Sequence, residues 1–164
     1  MKTILRRTAV AAAVVLTVGL IGAPAAFAHG EHEHGGGGGR TILSAEVAGS
    51  LTTDQKLFGT VAPGGADWVI DNGEARLRRD GRVDVRVEGL VLTSTGANPV
   101  MQLSASVACN GAVVATTAVV PFSATGDAKI HATVTLPQRC IAPVVLLNPR
   151  GNPAVFIGVT GTEG

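Results

Sequence analysis

This sequence of 164 residues contains few aromatic residues and almost no excess of positive charge. It contains no Tyr, one Trp and four Phe. Exposed aromatic rings are the usual stacking platforms for bases and sugars, so few are left for either role. Lys and Arg number 13 against 12 Asp and Glu, a net charge of +1. Phosphate backbones and anionic membrane surfaces are bound through clustered positive charge, so we predict no nucleic-acid partner.

Motifs of the common catalytic sites are missing as well. The sequence has no G-x-S-x-G elbow, no H-E-x-x-H pair and no P-loop, the patterns that place a nucleophile, a metal or a phosphate. We therefore predict that the protein is not an enzyme. The function we favour is that of an extracellular or cell-envelope module that acts by binding or as a structural element, and the sequence leaves its partner open.

The N-terminus predicts the compartment. A basic stretch, MKTILRR, precedes an apolar run over residues 9–21, and Ala-Phe-Ala follows at 26–28. This order is typical of a secretory signal peptide. We predict that residues 1–28 are cleaved between Ala28 and His29, and that the protein is secreted, extracellular or held in the cell envelope. An uncleaved anchor is the alternative, since ~20 apolar residues span a bilayer. Contact with a membrane is expected only through this segment.

Three of the four histidines, His29, His32 and His34, directly follow the predicted cleavage site. A free N-terminal His offers an amine and an imidazole to one metal ion, which suits Cu(II) or Ni(II), and His-rich tracts also bind metals such as zinc. Five glycines follow at 35–39, a composition typical of flexible linkers. We predict that residues 29–40 form a disordered tail. It is either a plain spacer without a cofactor or a Cu, Ni or Zn ligand in a metal-handling protein.

Ala28-His29-Gly30 resembles the mature start of the lytic polysaccharide monooxygenases. The resemblance implies a copper enzyme that holds its metal in a histidine brace at the N-terminal His29. In that family the terminal residue is held in an ordered domain and meets a second, distant His. Here five glycines separate His29 from the predicted domain, and the only distant histidine is His131. The copper enzyme is therefore the last of the three functions that we consider.

Short alternating apolar stretches dominate residues 41–164. Val, Thr and Ile are abundant, Gly and Pro punctuate the chain, and helical periodicity is absent. This pattern is typical of sandwiches and barrels, in which turns recur every ~8–12 residues. We predict an all-β domain over residues 41–164, a single antiparallel β-sandwich of about eight strands, Ig-like or similar. TILSAEVAG and KLFGTV are its first predicted strands.

EARLRRDGRVDVRVEG predicts a hairpin with a three-residue loop, 79–81. A two-residue turn would put the apolar residues of the two strands on opposite faces, because side chains alternate with period 2. The longer loop pairs Leu77 with Val83 and uses Gly81 for the left-handed conformation that it needs. The same register sets opposite charges across the outer face, Arg76 with Asp84 and Glu74 with Arg86.

Asn110-Gly111 predicts a second hairpin, with a two-residue type I′ turn. Two-residue pairing sets Val107 opposite Val114 and Ala105 opposite Thr116. Met101 is then expected opposite Val120. The inner face would consist of alternate residues, namely Met101, Leu103, Ala105, Val107 and Cys109.

Cys109 and Cys140 are the two cysteines of the chain. Outside the cytoplasm a low, even number of cysteines predicts a disulfide. A disulfide that closes the loop between residues 109 and 140 would stabilise the fold by roughly 3–4 kcal/mol. Free thiols or metal ligands are the alternative, although a pair this far apart with one intervening His is not a zinc pattern.

The later strands are predicted from AKIHATVTLP, PVVLL and AVFIGV. The first alternates, with Ile130 on the apolar side and His131 on the polar side. The other two are apolar at consecutive positions, which indicates central strands that are buried on both faces. We interpret His131 as an ordinary surface residue, because it is a lone histidine on the polar side of an alternating strand.

Oxygen ligands cluster around the only tryptophan, Trp68. Asp67, Asp71, Asn72 and Glu74 all lie within GGADWVIDNGEA. Calcium is one interpretation, but the alternate spacing of an EF-hand loop is absent. Turn formation at Asp-Asn-Gly, with Trp68 as a core residue, is the interpretation that we prefer.

Two stretches carry a resemblance over most of the domain: ADWVIDNGEARLRRDGRVDVRVEGLVL, and the later VACNG, LPQRC and VFIGVTG. Residues 67–164 resemble small secreted bacterial β-sandwich proteins at the level of pattern. That resemblance implies a fold and a compartment, and it implies no activity.

Overall fold

The computed structural model describes residues 39–161 of the chain. Within this range the chain forms thirteen β-strands and no helix, which confirms the predicted all-β class. Among the same residues there is no helix of the length and apolarity that a membrane span needs. The strands are β1 Thr41–Gly49, β2 Ala62–Pro63, β3 Trp68–Val69, β4 Asn72–Arg78, β5 Arg82–Glu88, β6 Val91–Leu92, β7 Gln102–Cys109, β8 Ala112–Thr116, β9 Val120–Pro121, β10 Ala128–Thr133, β11 Val144–Pro149, β12 Val155–Phe156 and β13 Gly158–Thr160.

Nine strands form one curled antiparallel sheet. Their order is β10-β5-β4-β1-β13-β11-β7-β8, and β9 pairs with β7. β1 belongs to both halves of the sheet, because Thr41 to Glu46 pair with β4 whereas Val47 to Gly49 pair with β13. Two short ribbons complete the fold, the parallel pair β12–β2 and the antiparallel pair β3–β6. The sheet thus curls around its core like half of a barrel.

The β4–β5 hairpin has the predicted register. Leu77 lies opposite Val83, and the loop between the strands has Gly81 at a φ of 88°. The charged residues also lie opposite one another as predicted, but the ion pairs form along each strand instead of across the two. This happens because side chains at i and i+2 share a face and lie within reach of each other. The observed pairs are Arg76 with Glu74 at 2.6 Å, and Arg86 with Glu88.

The β7–β8 hairpin has the predicted turn but a different register. Asn110 and Gly111 both have positive φ, at 57° and 78°. A β-bulge then shifts the pairing, so that Val107 lies opposite Ala115 and not opposite Val114. The shift brings together two polar side chains that the predicted register would separate, since the hydroxyls of Ser106 and Thr116 are 2.8 Å apart. Thr117 Oγ1 accepts a hydrogen bond from the backbone N–H of Ala105 at 3.0 Å.

The prediction of Met101 as an inner-face residue is wrong. Its side chain is 82% exposed, because Met101 precedes β7 and the strand begins only at Gln102. Val120 lies opposite Leu103 instead. The remaining inner-face residues of β7 are buried as predicted.

The inward-facing side chains of both halves of the sheet meet in one core. Leu77 and Val85 come from the half that contains β4 and β5, and Leu103 and Val107 from the half that contains β7. β10 contributes Ile130 to this core and alternates as predicted. β11 is buried on both faces, also as predicted, because Leu146 on its far side packs in a second cluster with Val61 and Phe156.

The disulfide between Cys109 and Cys140 is confirmed, with a Cα–Cα distance of 4.9 Å. The side chain of Asn110, the residue after Cys109, forms hydrogen bonds with the residues on either side of Cys140. Its Nδ2 donates to the carbonyl of Arg139 at 2.9 Å, and its Oδ1 accepts from Ile141 N at 3.0 Å. The turn that begins β8 is therefore tied to the disulfide-linked segment by hydrogen bonds as well as by sulfur.

The predicted strand KLFGTV is wrong. Residues 56–61 form a tight reversal, in which Leu57 and Val61 make an isolated bridge. Phe58 and Gly59 have φ values of 51° and 73°, which a strand does not allow. The apolar residues of this stretch, Leu57, Phe58 and Val61, pack around the turn in a cluster with Phe156 and so need no strand to bury them.

Candidate binding cleft

A cleft opens at the point where β1 leaves β4 and continues along β13. The end of β1 lies directly against β3, and a Cβ atom at Gly49 would collide with the carbonyl oxygen of Trp68. The backbone of Ser50 forms hydrogen bonds that hold β1 and β3 at this crossing. Its N–H donates to the carbonyl oxygen of Ile157 at 3.1 Å, and its carbonyl oxygen accepts from Trp68 N at 2.8 Å. The glycine is needed because two backbones pass in contact here.

The segment after β1 forms a fixed wall of the cleft. Asp54 accepts a hydrogen bond from Leu51 N at 2.8 Å. Asp67 accepts two hydrogen bonds from Thr52, from its N at 2.7 Å and from its Oγ1 at 2.8 Å. These bonds, the backbone N–H first, lower the pKa of Asp67 below its ordinary value of 3.8, because they stabilise the charged carboxylate. The wall is therefore held in place by its own side chains.

The cleft has a volume of about 530 Å³. Its lining comes from three stretches of the chain, 48–57, 68–70 and 156–161, and is mainly apolar, with Leu51, Leu57, Val69, Ile70, Phe156 and Val159. Two of these side chains remain open to solvent, Leu51 at 46% and Val69 at 44%. We call this surface the apolar cleft.

A second cavity of about 390 Å³ continues the apolar cleft along β4. The two share Ala48, Ile70 and Gly161 as lining residues. The charged residues that line them are carboxylates: Asp54 in the apolar cleft, and Glu46 and Asp71 in the second cavity. Among the described residues that line either one, none is Lys, Arg or His. This lining suits a ligand or partner surface that is apolar and that carries a positive charge next to its apolar part.

The acidic residues around Trp68 do not converge on one point. Trp68 itself is 5% exposed and belongs to the core, as predicted. Asp67 faces Thr52, while Asp71 and Asn72 line the second cavity. Within residues 39–161 no group of three His, Cys, Asp or Glu side chains is placed to hold a metal ion.

The predicted metal ligands His29, His32 and His34 lie outside the described residues, and so does the cleavage site between Ala28 and His29. The fourth histidine, His131, is 2.9 Å from Asp84 through its Nδ1, on the outer face of the sheet. Its side chain is 71% exposed, and Arg76 separates the pair from Ser44 on β1. Along β10, Thr133 is the next residue on the same exposed face.

Sequence reasoning did not find the apolar cleft. Its residues are spread over the chain, from Leu51 to Val159, and only the crossing of β1 and β3 brings them together. The one available signal was the pair of leucines in LTTDQKL, two apolar side chains in a polar stretch without strand alternation.

Comparison of this chain with protein-family models, with curated proteins and with solved structures found no match. The two resemblances drawn from sequence, to small secreted β-sandwich proteins and to the copper monooxygenases, therefore stay predictions. What the protein does has to be argued from the apolar cleft itself.

Proposed function

We propose that this protein is an exported, non-catalytic binding module whose ligand site is the apolar cleft. The observation that carries the proposal is the exposure of Leu51 and Val69 inside a concave, mainly apolar surface. Concave apolar surfaces with a few polar groups are the common form of ligand sites, and clustered exposed apolar side chains mark interaction surfaces. The fixed wall at Asp54 and Asp67 supports the proposal, since a preformed site loses little entropy on binding.

The scaffold that we propose is a β-sandwich, in the broad sense that includes Ig-like domains. Its two layers are the halves of the curled sheet, and the core shared by Leu77 and Leu103 supports this view. Export is supported by the disulfide at Cys109, because disulfides persist in oxidising compartments. The mass of the exported protein tests this part, with processing between Ala28 and His29 as the expected result.

The apolar cleft is tested by titration with a neutral apolar dye, N-phenyl-1-naphthylamine, followed by fluorescence. We expect wild-type protein to bind the dye and the variant Leu51→Ser/Val69→Ser to lose binding by about tenfold or more, because two apolar contacts are removed. The matched control is Val114→Ser/Ile141→Ser, which changes side chains of similar exposure, 38% and 55%, away from the cleft. Equal dye binding by the two variants, or no binding by the wild type, would overturn the proposal.

A further inference from the structure

Four of the six large hydrophobic side chains that are exposed among the described residues fall into two groups. Among the described residues, six large ones are exposed: Leu51, Val69, Met101, Val114, Val119 and Ile141. Leu51 and Val69 lie in the apolar cleft, and Met101 and Val119 lie together on a second surface. The two groups together form a pair of separate apolar surfaces on one small domain, which is more than scattered exposure produces.

The second surface is a shallow depression of about 550 Å³ beside the start of β7, which we call the Met101 patch. It is lined by Pro99, Met101, Gln102, Val119, Val120, Pro121 and Arg150. Met101 is its most prominent side chain, at 82% exposure. Arg150 is the ionisable residue of its lining. A hydrogen bond from Arg150 N to the carbonyl of Gln102, 2.9 Å long, fixes the arginine beside Met101.

The two surfaces are complementary in charge. The apolar cleft and the cavity that continues it are lined by Asp54, Glu46 and Asp71, whereas the Met101 patch presents Arg150. An unbranched methionine adapts to an irregular apolar cleft better than a branched side chain does. Complementary potentials of this kind set partner choice and register between protein surfaces.

We infer that the apolar cleft binds the Met101 patch of a second copy of this chain, with Arg150 of one copy facing Glu46 and Asp71 of the other. This inference rests on the proposed function, because it names the partner of the same cleft. The protein would then act as a self-associating module of the cell exterior.

The topology allows both contacts to form at once. Gly49 pairs with Gly158, which pairs with Leu147 of β11, and Leu103 pairs with Pro149 at the end of that strand. The apolar cleft and the Met101 patch therefore lie towards the same end of the sheet, with β13 and β11 between β1 and β7. In a twofold-symmetric dimer each cleft can receive the patch of its partner, the reciprocal contact of an isologous interface.

Sedimentation velocity of the exported protein over a concentration series tests the inference. We expect wild-type protein to self-associate, and Met101→Ser or Leu51→Ser/Val69→Ser to weaken association by about tenfold or more, as for residues at the centre of an interface. The control Val114→Ser should associate like the wild type.

Charge reversal makes the test specific for the two surfaces. Arg150→Glu alone and Glu46→Lys/Asp71→Lys alone should each associate more weakly than the wild type, because each variant then presents like charges in both contacts. An equimolar mixture of the two should recover association, since the negative patch of one meets the positive cleft of the other.

Two results would overturn the inference. One is a wild type that stays monomeric, and the other is a mixture of the reversed variants that associates no better than either alone. A monomer that still binds the neutral dye in the apolar cleft, and loses it in Leu51→Ser/Val69→Ser, would leave the proposed function standing and assign the cleft to a foreign partner.

Discussion

The β4–β5 and β7–β8 hairpins are built differently, although each turns through a glycine with positive φ. β4 and β5 pair without interruption from Asn72 to Leu77, and their outer face is polar and exposed to solvent. β7 is buried at seven of its eight residues, and its register with β8 shifts between Val107 and Ala108. The disulfide ties only the second hairpin to a distant segment.

The difference shows what specifies the register of a hairpin. With one face in water, alternation and the turn residue suffice, because a slip by one residue would expose the whole apolar face. A strand buried on both faces has no such asymmetry, so its register depends on polar side chains and on what packs against it. Ser106 and Thr116 supply the polar part of that specification in β7 and β8.

The largest effect should come from removing the disulfide. We expect Cys109→Ala/Cys140→Ala to lose about 3–4 kcal/mol of unfolding free energy in urea, because a cross-link over 31 residues restricts the unfolded chain. Wild-type protein under reducing conditions is the matched control and should lose a similar amount. A loss below about 1 kcal/mol in both would show that the β7–β8 region does not depend on the cross-link.

Replacing the turn glycine should destabilise the β4–β5 hairpin more than the β7–β8 hairpin, the reverse of the order expected for the disulfide. Gly81 has a φ of 88°, and a Cβ atom there would collide with the carbonyl oxygen of Val134. We expect Gly81→Ala to cost about 2–4 kcal/mol, from backbone strain and displacement of that strand end. Gly111 has a φ of 78° with no atom within 4 Å of the added Cβ, so Gly111→Ala should cost only about 1 kcal/mol. Equal losses in thermal unfolding would contradict this contrast.

Asn110 should contribute less, through its side chain alone. Asn110→Gly keeps the positive φ of the turn and removes the two hydrogen bonds to the segment around Cys140. We expect a loss of about 1 kcal/mol in urea unfolding, since the bonds are exposed to water. In the Cys109→Ala/Cys140→Ala background the loss should shrink, because both features hold the same segment. An undiminished loss there would argue against this coupling.

The smallest effect concerns Asp80 in the first turn. Hydrogen bonds from Gly39 N at 2.9 Å and Arg82 N at 3.2 Å, the first above all, lower the pKa of Asp80 below 3.8. Because the pKa is lower in the folded state, the contribution is present above the unfolded pKa and is lost as pH falls through the folded pKa. Stability of Asp80→Asn should therefore fall less than that of the wild type in acid. Identical acid profiles would refute the assignment.

Local pattern predicted some elements in detail and missed others. The pairing of Leu77 with Val83 followed from the alternation of apolar residues and from one turn glycine. The exposure of His131 on β10 followed from alternation alone. Met101 and the reversal at Phe58 were mispredicted because their apolar side chains resemble strand residues, while their positions depend on where a strand begins or a loop folds back. The apolar cleft escaped notice because its residues come from distant parts of the chain.

By itself the sequence determined the all-β class, the two turns and the pairing of Cys109 with Cys140, since each depends on local alternation, on a residue that tolerates positive φ or on having a single partner. Tertiary structure alone decided the bulge in β8, the passage of β1 from one half of the sheet to the other, and the apolar cleft that this passage opens beside Gly49. These features arise from contacts between strands far apart in the chain, and no local pattern encodes which of them meet.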